Sequence, residues 1–325
     1  MKTAIITLAK LLITGLFFFY IFNMIDFNQF ADTIRGVRPG LIAAALAAIW
    51  LGHLVCVLRW RILMRLLMQT PGFLRLCGIY CIGMFFNLTF PTLIGGDVVK
   101  IYYAGKQSRS YAESFASIFL DRDIGMFVMM AIACCAALFH PVSVPGIPVT
   151  LILWSVFILF LIGNIALFTP GFHRLLLAAL RKHKLEKIAA KIDNVSRAFR
   201  TIGGHPAAIL QSLGISAINQ LFLCMTAWIV ALCLGVNVSP AYFLIFVPLI
   251  TLISMIPISL NGMGLREYSF MALFGGIGVA GEYCIAMGLL HSLMVIMSSL
   301  PGGVVYIFFR GKADSARMIE IGSGA

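Results

Sequence analysis

Charge is what this sequence has least of. Of its 325 residues, 24 are Lys or Arg and 12 are Asp or Glu, together 11% of the chain. A soluble domain carries about a quarter charged residues, so a fully wetted surface could not be built from this supply. Recognisable catalytic and metal signatures are also missing. No CxxC pair, HExxH, P-loop or GxSxG occurs, and no dinucleotide fingerprint sits in a strand–helix setting. The 8 cysteines are spread through apolar runs, which excludes a small disulfide scaffold and reads as buried thiols. The 6 histidines are scattered.

What is abundant is apolar. Hydrophobic residues make up 61% of the chain, with 26 Phe and 16 Met, and this excludes disorder. The net charge of +12 could suggest a nucleic-acid binder. On so apolar a chain, basic loops flanking apolar runs read instead as the topology signals of a membrane protein. The expected fold is an all-α polytopic membrane protein with six to eight transmembrane helices and two broken or re-entrant segments. We expect a single integral membrane domain over residues 1–325.

The runs can be placed in order. Ile5–Ile25 reads as a retained first span rather than a cleaved signal, since bulky Phe17–Ile21 leads straight into Asp26. Asp26–Arg38 is polar, and Leu41–Leu58 forms a second run closed by Arg59, Arg61 and Arg65. Further spans are expected at Tyr111–Leu138, Thr150–Leu167, Ala207–Leu234, Tyr242–Ile258 and Cys284–Phe309, the last interrupted at Pro301-Gly302-Gly303. Residues 170–205 hold Arg174, Arg181, Lys182, Lys184, Lys187, Lys191, Arg197 and Arg200 against Glu186 and Asp193. That excess makes this stretch a cytoplasmic loop carrying an interfacial helix, joining halves 1–169 and 206–310. With Lys2 and Lys10 at one end and Arg310, Lys312 and Arg317 at the other, both termini are expected in the cytoplasm of a cell with an inner membrane.

Two runs break the pattern. Leu76–Ile94 contains Asn87 and Pro91 and ends in Gly95-Gly96-Asp97; the second break reads PISLNGMGLREY from Pro257 to Tyr268. Such strings suit segments whose freed backbone groups are satisfied by protein or a wet cavity. Laid over each other at an offset of 166, they match Pro91 to Pro257, Gly96 to Gly262, Lys100 to Arg266 and Tyr102 to Tyr268. Gly/Pro-interrupted segments in corresponding halves point to a transporter's binding site, and inverted repeats are the arrangement that goes with them.

The few charges inside apolar runs are Asp97, Lys100, Asp121, Arg122, Asp123, Arg266 and Glu267. Each must pair, reach the interface or line a wet cavity. Two readings stand side by side: structural ion pairs, such as Arg122 with Asp97 or Glu267, and a phosphate site built on Arg122 and Arg266, whose guanidinium forks match paired phosphate oxygens. Asn87, Ser259 and Asn261 can add neutral donors. Asn219, Gln220 and His291 read as helix-packing residues. Asp121 and Asp123 flank Arg122 without a His or Glu at ligand spacing, so no metal, cofactor or catalytic residue is assigned.

The ordered strings NLTFPTLIGGDVVKIYYAGK, SIFLDRDIGMF and PISLNGMGLREYSF resemble the transmembrane region of the lysylphosphatidylglycerol synthase family, over about Lys10 to Phe309. The resemblance implies a lipid-handling domain with two inverted halves. Its motif residues match Gly95, Gly96, Asp97 and Lys100, then Asp121 and Arg122, then Gly264, Arg266 and Glu267. Fused members carry a cytosolic aminoacyltransferase domain for which this chain is expected to have no room, so aminoacyl-tRNA is not implied as a partner. The expected function is a flippase-like lipid transporter binding a phospholipid or polyprenyl-phosphate headgroup. The alternatives are a membrane enzyme or enzyme subunit in lipid or glycan modification, with Asp97 or Asp121 as base or metal ligand, and an accessory scaffold. Expected partners are membrane lipids and no nucleic acid; a homo-oligomer and a lipid-biosynthesis enzyme partner both stay open.

Overall fold

The computed structural model describes residues 38–89, 95–169, 185–256, 258–259 and 262–309, with isolated positions between 174 and 181. The expected first span, Pro91, Pro257, Asn261 and the basic C-terminal residues lie outside these. The described residues form ten helices: α1 (Pro39–Leu67), α2 (Phe73–Thr89), α3 (Gly95–Ser108), α4 (Tyr111–Phe139), α5 (Val149–Phe168), α6 (Glu186–Gly203), α7 (Pro206–Cys233), α8 (Pro240–Met255), α9 (Leu265–Gly275) and α10 (Gly281–Ser299). Local chemistry sets several starts. Pro39, Pro206 and Pro240 open their helices, where the missing N–H costs nothing and the fixed φ suits the turn. Ser110 and Ser239 cap α4 and α8 with their side-chain oxygens.

Four helices are long and apolar enough to cross a bilayer: Pro39–Leu67, Tyr111–Phe139, Pro206–Cys233 and Gly281–Phe309. Their outward faces, and that of α5, stay apolar. Leu151, Leu159, Ile162 and Ile165 of α5 are all exposed, a stripe that a water-soluble monomer avoids and hydrocarbon accepts. The chain is a helical membrane protein. Inside, aromatic residues fill the core, with Phe246 and Phe270 both packing on Phe274.

The order long, short, short, long occurs twice. α1 to α4 have 29, 17, 14 and 29 residues. α7 to α9 have 28, 16 and 11, and the last apolar span has 29. Neighbours repeat as well as lengths. Exchanging α1 with α7, α2 with α8, α3 with α9 and α4 with α10 leaves the set of packed pairs among these eight helices unchanged, with α1 against α7 at the centre. The central pair is antiparallel: Gly52 of α1 faces Asn219 and Phe222, while Arg59, further along α1, bonds Ser216. One set is therefore inverted relative to the other.

The short helices form two hairpins. Asn87 meets Gly96, Gly83 meets Gly96 and Lys100, and Tyr80 meets Lys100, so α2 and α3 run antiparallel. In the other set Ser254 meets Gly262 while Phe243 meets Phe274. At 1.5 Å per residue these helices are roughly 16 to 26 Å long, short of the ~30 Å hydrocarbon core. The two broken segments expected from sequence are these hairpins.

Three expectations are corrected. The second span does not close at Leu58: α1 continues to Leu67 and buries Arg59, because Trp60, Leu63 and Met64 carry the apolar face past the arginine. The last span is barely interrupted, with helix resuming after Leu300. Gly302 and Gly303 there allow close approach rather than a break, since a Cβ at Gly302 would run into the Cys81 carbonyl of α2. The repeat register also differs from the motif overlay. Asp97 of α3 is bonded by Arg122 of α4 and Glu267 of α9 by Ser292 of α10; both members of the first pair lie 170 positions before those of the second, rather than 166, so Asp97 is the counterpart of Glu267.

The close crossing of the last span over α2 is directly testable. Gly302→Ala is expected to destabilise the protein by about 1–3 kcal/mol, the usual cost of overpacking. Gly163→Ala, in α5 where a Cβ meets nothing within 4 Å, is expected to be neutral or stabilising. Thermal unfolding in detergent separates the two.

Candidate functional site

Consecutive helical residues point about 100° apart, so Asp121, Arg122 and Asp123 in the middle of α4 face three directions. Asp121 turns to α1. Both its oxygens accept from Arg59, Nε to Oδ1 at 2.6 Å and Nη2 to Oδ2 at 3.0 Å. Arg59 Nη1 also donates to Ser216 Oγ of α7 at 2.8 Å. This fork ties three helices from both sets together, and Gly125 makes room for it: a Cβ there would lie 3.0 Å from Nη1.

Arg122 turns to the tip of the α2–α3 hairpin, where its Nε donates to Asp97 Oδ2. Lys100, one turn along α3, reaches the other Asp97 oxygen at 3.5 Å and lies 4.2 Å over the Tyr80 ring, a cation–π contact. It can pass so close to α2 because the residue beneath is Gly83, whose Cβ would lie 2.5 Å from Lys100 Cε. The Gly96 N–H donates to Asn87 Oδ1 at 2.8 Å, joining the two arms of the hairpin. Asn87, Asp97, Lys100, Asp121 and Arg122, with Arg59 and Tyr80, surround a cavity of about 180 Å³.

Asp123 turns away to a separate groove of about 560 Å³, beside Asn164 of α5 and mostly apolar residues.

A second cavity, of about 200 Å³, adjoins the first. It is lined by Asn87 and Arg122, which the two cavities share, by Thr251, Ser254 and Met255 at the tip of the other hairpin, and by Arg266, Phe270 and His291. The tips of two oppositely directed hairpins thus meet at one polar seam. Glu267 does not open onto it. Its Oε2 accepts from the Gly264 N–H at 2.6 Å and its Oε1 from Ser292 Oγ at 2.6 Å. Gly264 has φ +79°, a conformation glycine adopts freely, and this turns the chain into α9. Arg266 Nη1 donates to the same Ser292 Oγ at 3.1 Å.

Of the residues expected from sequence, Asn87, Gly96, Asp97, Lys100, Asp121, Arg122 and Arg266 come together along the seam. Gly95 and Gly264 are buried at the starts of α3 and α9, and Glu267 anchors the α9 start. Ser259 is buried away from both cavities with its Oγ unbonded. Asn261 lies outside the described residues. Asn219 and Gln220 pack between helices as expected, against Gly52 and Cys224.

Sequence reasoning missed Arg59, Tyr80, Ser216, His291 and Ser292. Arg59 had a readable signal: Leu63 and Met64, four and five residues on, repeat the apolar face. His291 had none, since a lone polar residue in an apolar helix usually packs.

Comparison with known proteins agrees with a membrane protein. The family described as the lysylphosphatidylglycerol synthase TM region matches residues 7–302, so the chain belongs to that family. It is similar to two proteins of Methanothermobacter thermautotrophicus, each called a UPF0104 membrane protein. One is 25% identical, over 88% of this chain and 89% of the relative. The other is 21% identical, over 90% and 92%. No solved structure matches.

The Arg59–Asp121 fork has a measurable signature. Asp121→Leu strands the buried guanidinium and is expected to cost about 3–5 kcal/mol. The double variant Arg59→Met/Asp121→Leu removes both charges and is expected to recover most of that loss. A double-mutant cycle on unfolding in detergent checks the coupling; additive losses would mean the fork is not a paired unit.

Proposed function

We propose that the protein is a lipid translocase that holds the phosphate of a phospholipid or polyprenyl-phosphate headgroup at the seam between the two hairpin tips. The observation that carries this reading is that Arg122 and Arg266, one from each set of helices, line the same cavity among apolar spans. Buried arginines are costly in a membrane and mark pathways when they face a cavity. Two guanidinium forks are suited to paired phosphate oxygens. Asn87 adds a neutral amide at the same wall.

The topology proposed with it has residues 170–205 as a cytoplasmic loop between halves 1–169 and 206–310, and both termini cytoplasmic, in a cell's inner membrane. α6 supports this placement. Its Ala189, Ala198 and Ile202 are buried while Arg197 and Arg200 are exposed, as in a helix lying in an interface. Asp97 and Asp121 are each held by arginine, an arrangement that suits orienting those arginines rather than acting as a base.

Purified protein reconstituted into vesicles is expected to speed the transbilayer movement of a labelled phospholipid over that in protein-free vesicles. Arg122→Gln and Arg266→Gln should each slow it about tenfold or more, since a charge-assisted hydrogen bond contributes about 1.5–3 kcal/mol. Movement equal to that of empty vesicles would refute the proposal.

A further inference from the structure

Asp123 is the one charge in the middle of α4 that the seam does not use. It faces a groove of about 560 Å³ between α4, α5 and α7, whose walls are apolar apart from Asn164 and Thr169. Asp123 lies about 18 Å along α4 from Tyr111, at 1.5 Å per residue. Beside it α5 runs the other way and ends at Phe168. Thr169 lines the groove and is exposed, so the groove runs from Asp123 to that end of the bundle, the end proposed as cytoplasmic.

Among the described residues, nothing in the groove answers a negative charge. Asp121 has Arg59, and Asp97 has Arg122 and Lys100, whereas no cation lines the groove of Asp123. Neither α5 nor α7 carries a charged residue along its length. α6 meets α4 through Ala198 and Ile202, which cluster with Ala116, Leu120 and Ile124, while its Arg197 and Arg200 are exposed. On the remaining faces of α4, Arg59 of α1 holds Asp121, Asp97 and Lys100 of α3 lie toward Arg122, and α8 has no charged residue. A metal ion would be poorly held, since hard cations take about six oxygens and the groove offers one carboxylate, one amide oxygen and one hydroxyl. A proton needs the carboxylate alone. Neutral, the side chain suits the apolar walls; ionised, it suits the wet end of the groove.

Arg122 directly precedes Asp123 on the same turn of α4, and Asp121, the third charge of that turn, is clamped to α1. An ionised Asp123 thus sets a negative charge one residue from the guanidinium at the seam, in surroundings where salt screens little. A proton on Asp123 removes that charge and favours an anion at Arg122. By linkage, the anion favours the proton by the same factor.

We infer that Asp123 is a proton-binding site, filled from the α5 end of the groove, whose occupancy is coupled to anion occupancy at Arg122. The proton passes from water to a carboxylate oxygen of Asp123 and returns to water when the anion leaves. This rests on the proposed translocase reading and supplies its driving force, a proton gradient.

Two measurements on the full chain test it. The first records infrared difference spectra in detergent as short-chain phosphatidylglycerol is added, a probe whose phosphodiester stays ionised throughout. A protonated-carboxyl band should grow with the lipid, and affinity should rise about fivefold or more from alkaline to acid pH. Asp123→Asn, which mimics the protonated form, should lose the band and most of the pH response, and Asp123→Glu should keep both. Unfolding temperatures confirm that the variants fold. In the second, a pH gradient across vesicles should speed movement of a labelled phospholipid about fivefold or more, a protonophore should abolish that gain, and Asp123→Asn should not respond to the gradient. Absence of the band, a pH response unchanged in Asp123→Asn, or drive by a sodium gradient instead overturns the inference. The band and its pH response without lipid movement would sink the translocase proposal and leave the proton site standing. Movement that ignores the pH gradient would keep the translocase and sink this inference.

Discussion

The ion pair between Arg122 and Asp97 is the contact on which the rest of the arrangement depends. A guanidinium at the centre of a membrane helix costs at least about 2.5–3.5 kcal/mol if nothing answers it. The answer comes from the first turn of α3, and this dictates much of the first set of helices. α3 has to begin inside the membrane, so the chain must enter, break and return. The two arms of that hairpin must lie close enough for Asn87 to cap Gly96 and for Lys100 to cross Gly83. Charge, hairpin and glycines are parts of one constraint.

The second set solves the same problem differently. Asp97 and Glu267 lie on their short helices 170 positions apart, and Arg122 and Ser292, also 170 apart, are their respective partners on the following long helix. The slot is conserved in geometry between the sets while its chemistry changes from an ion pair to a hydroxyl bridge. With a serine in place of a second arginine, Glu267 is satisfied by neutral donors, and Arg266 next to it is left to face the cavity. The asymmetry between the sets thus creates the one cation without a carboxylate at bonding distance among the described residues of the seam.

Much of this was legible in the sequence, because scarcity made it so. With charges at 11% of the chain, those that survive inside apolar runs stand out, and Asp97, Lys100, Asp121, Arg122 and Arg266 are all readable from the sequence. The hairpins were legible from Pro, Gly and Asn in places where a lipid-facing helix has no use for them. Arg59 was not, because an arginine at the end of an apolar run looks the same whether it meets headgroups or a buried aspartate; only α4 packed beside it decides. Pro301-Gly302-Gly303 misled for a related reason. The glycines answer to Cys81 and Phe85 on another helix, and close approach leaves no trace in the local string. The repeat register differs because the motif overlay matches a lysine with an arginine by charge, whereas the partners on the following long helix align the two acids.

Inversion gives the seam its bearing on the proposed transport. Two hairpins entering from opposite faces bring their tips to one place, so the low-dielectric layer there is reduced to the space around residues both cavities share, Asn87 and Arg122. On the proposed route, a phosphate approaching from either side would meet a cation before it meets bare hydrocarbon. Asp97 bears on the proposed passage as well: it holds Arg122 through Nε and has Lys100 as a second cation within reach, so a phosphate drawn to Arg122 would compete with a carboxylate that keeps another partner. The arriving negative charge then meets a cation while Asp97 keeps Lys100, so no charge is stranded in the membrane, which is the condition any route through this seam has to meet.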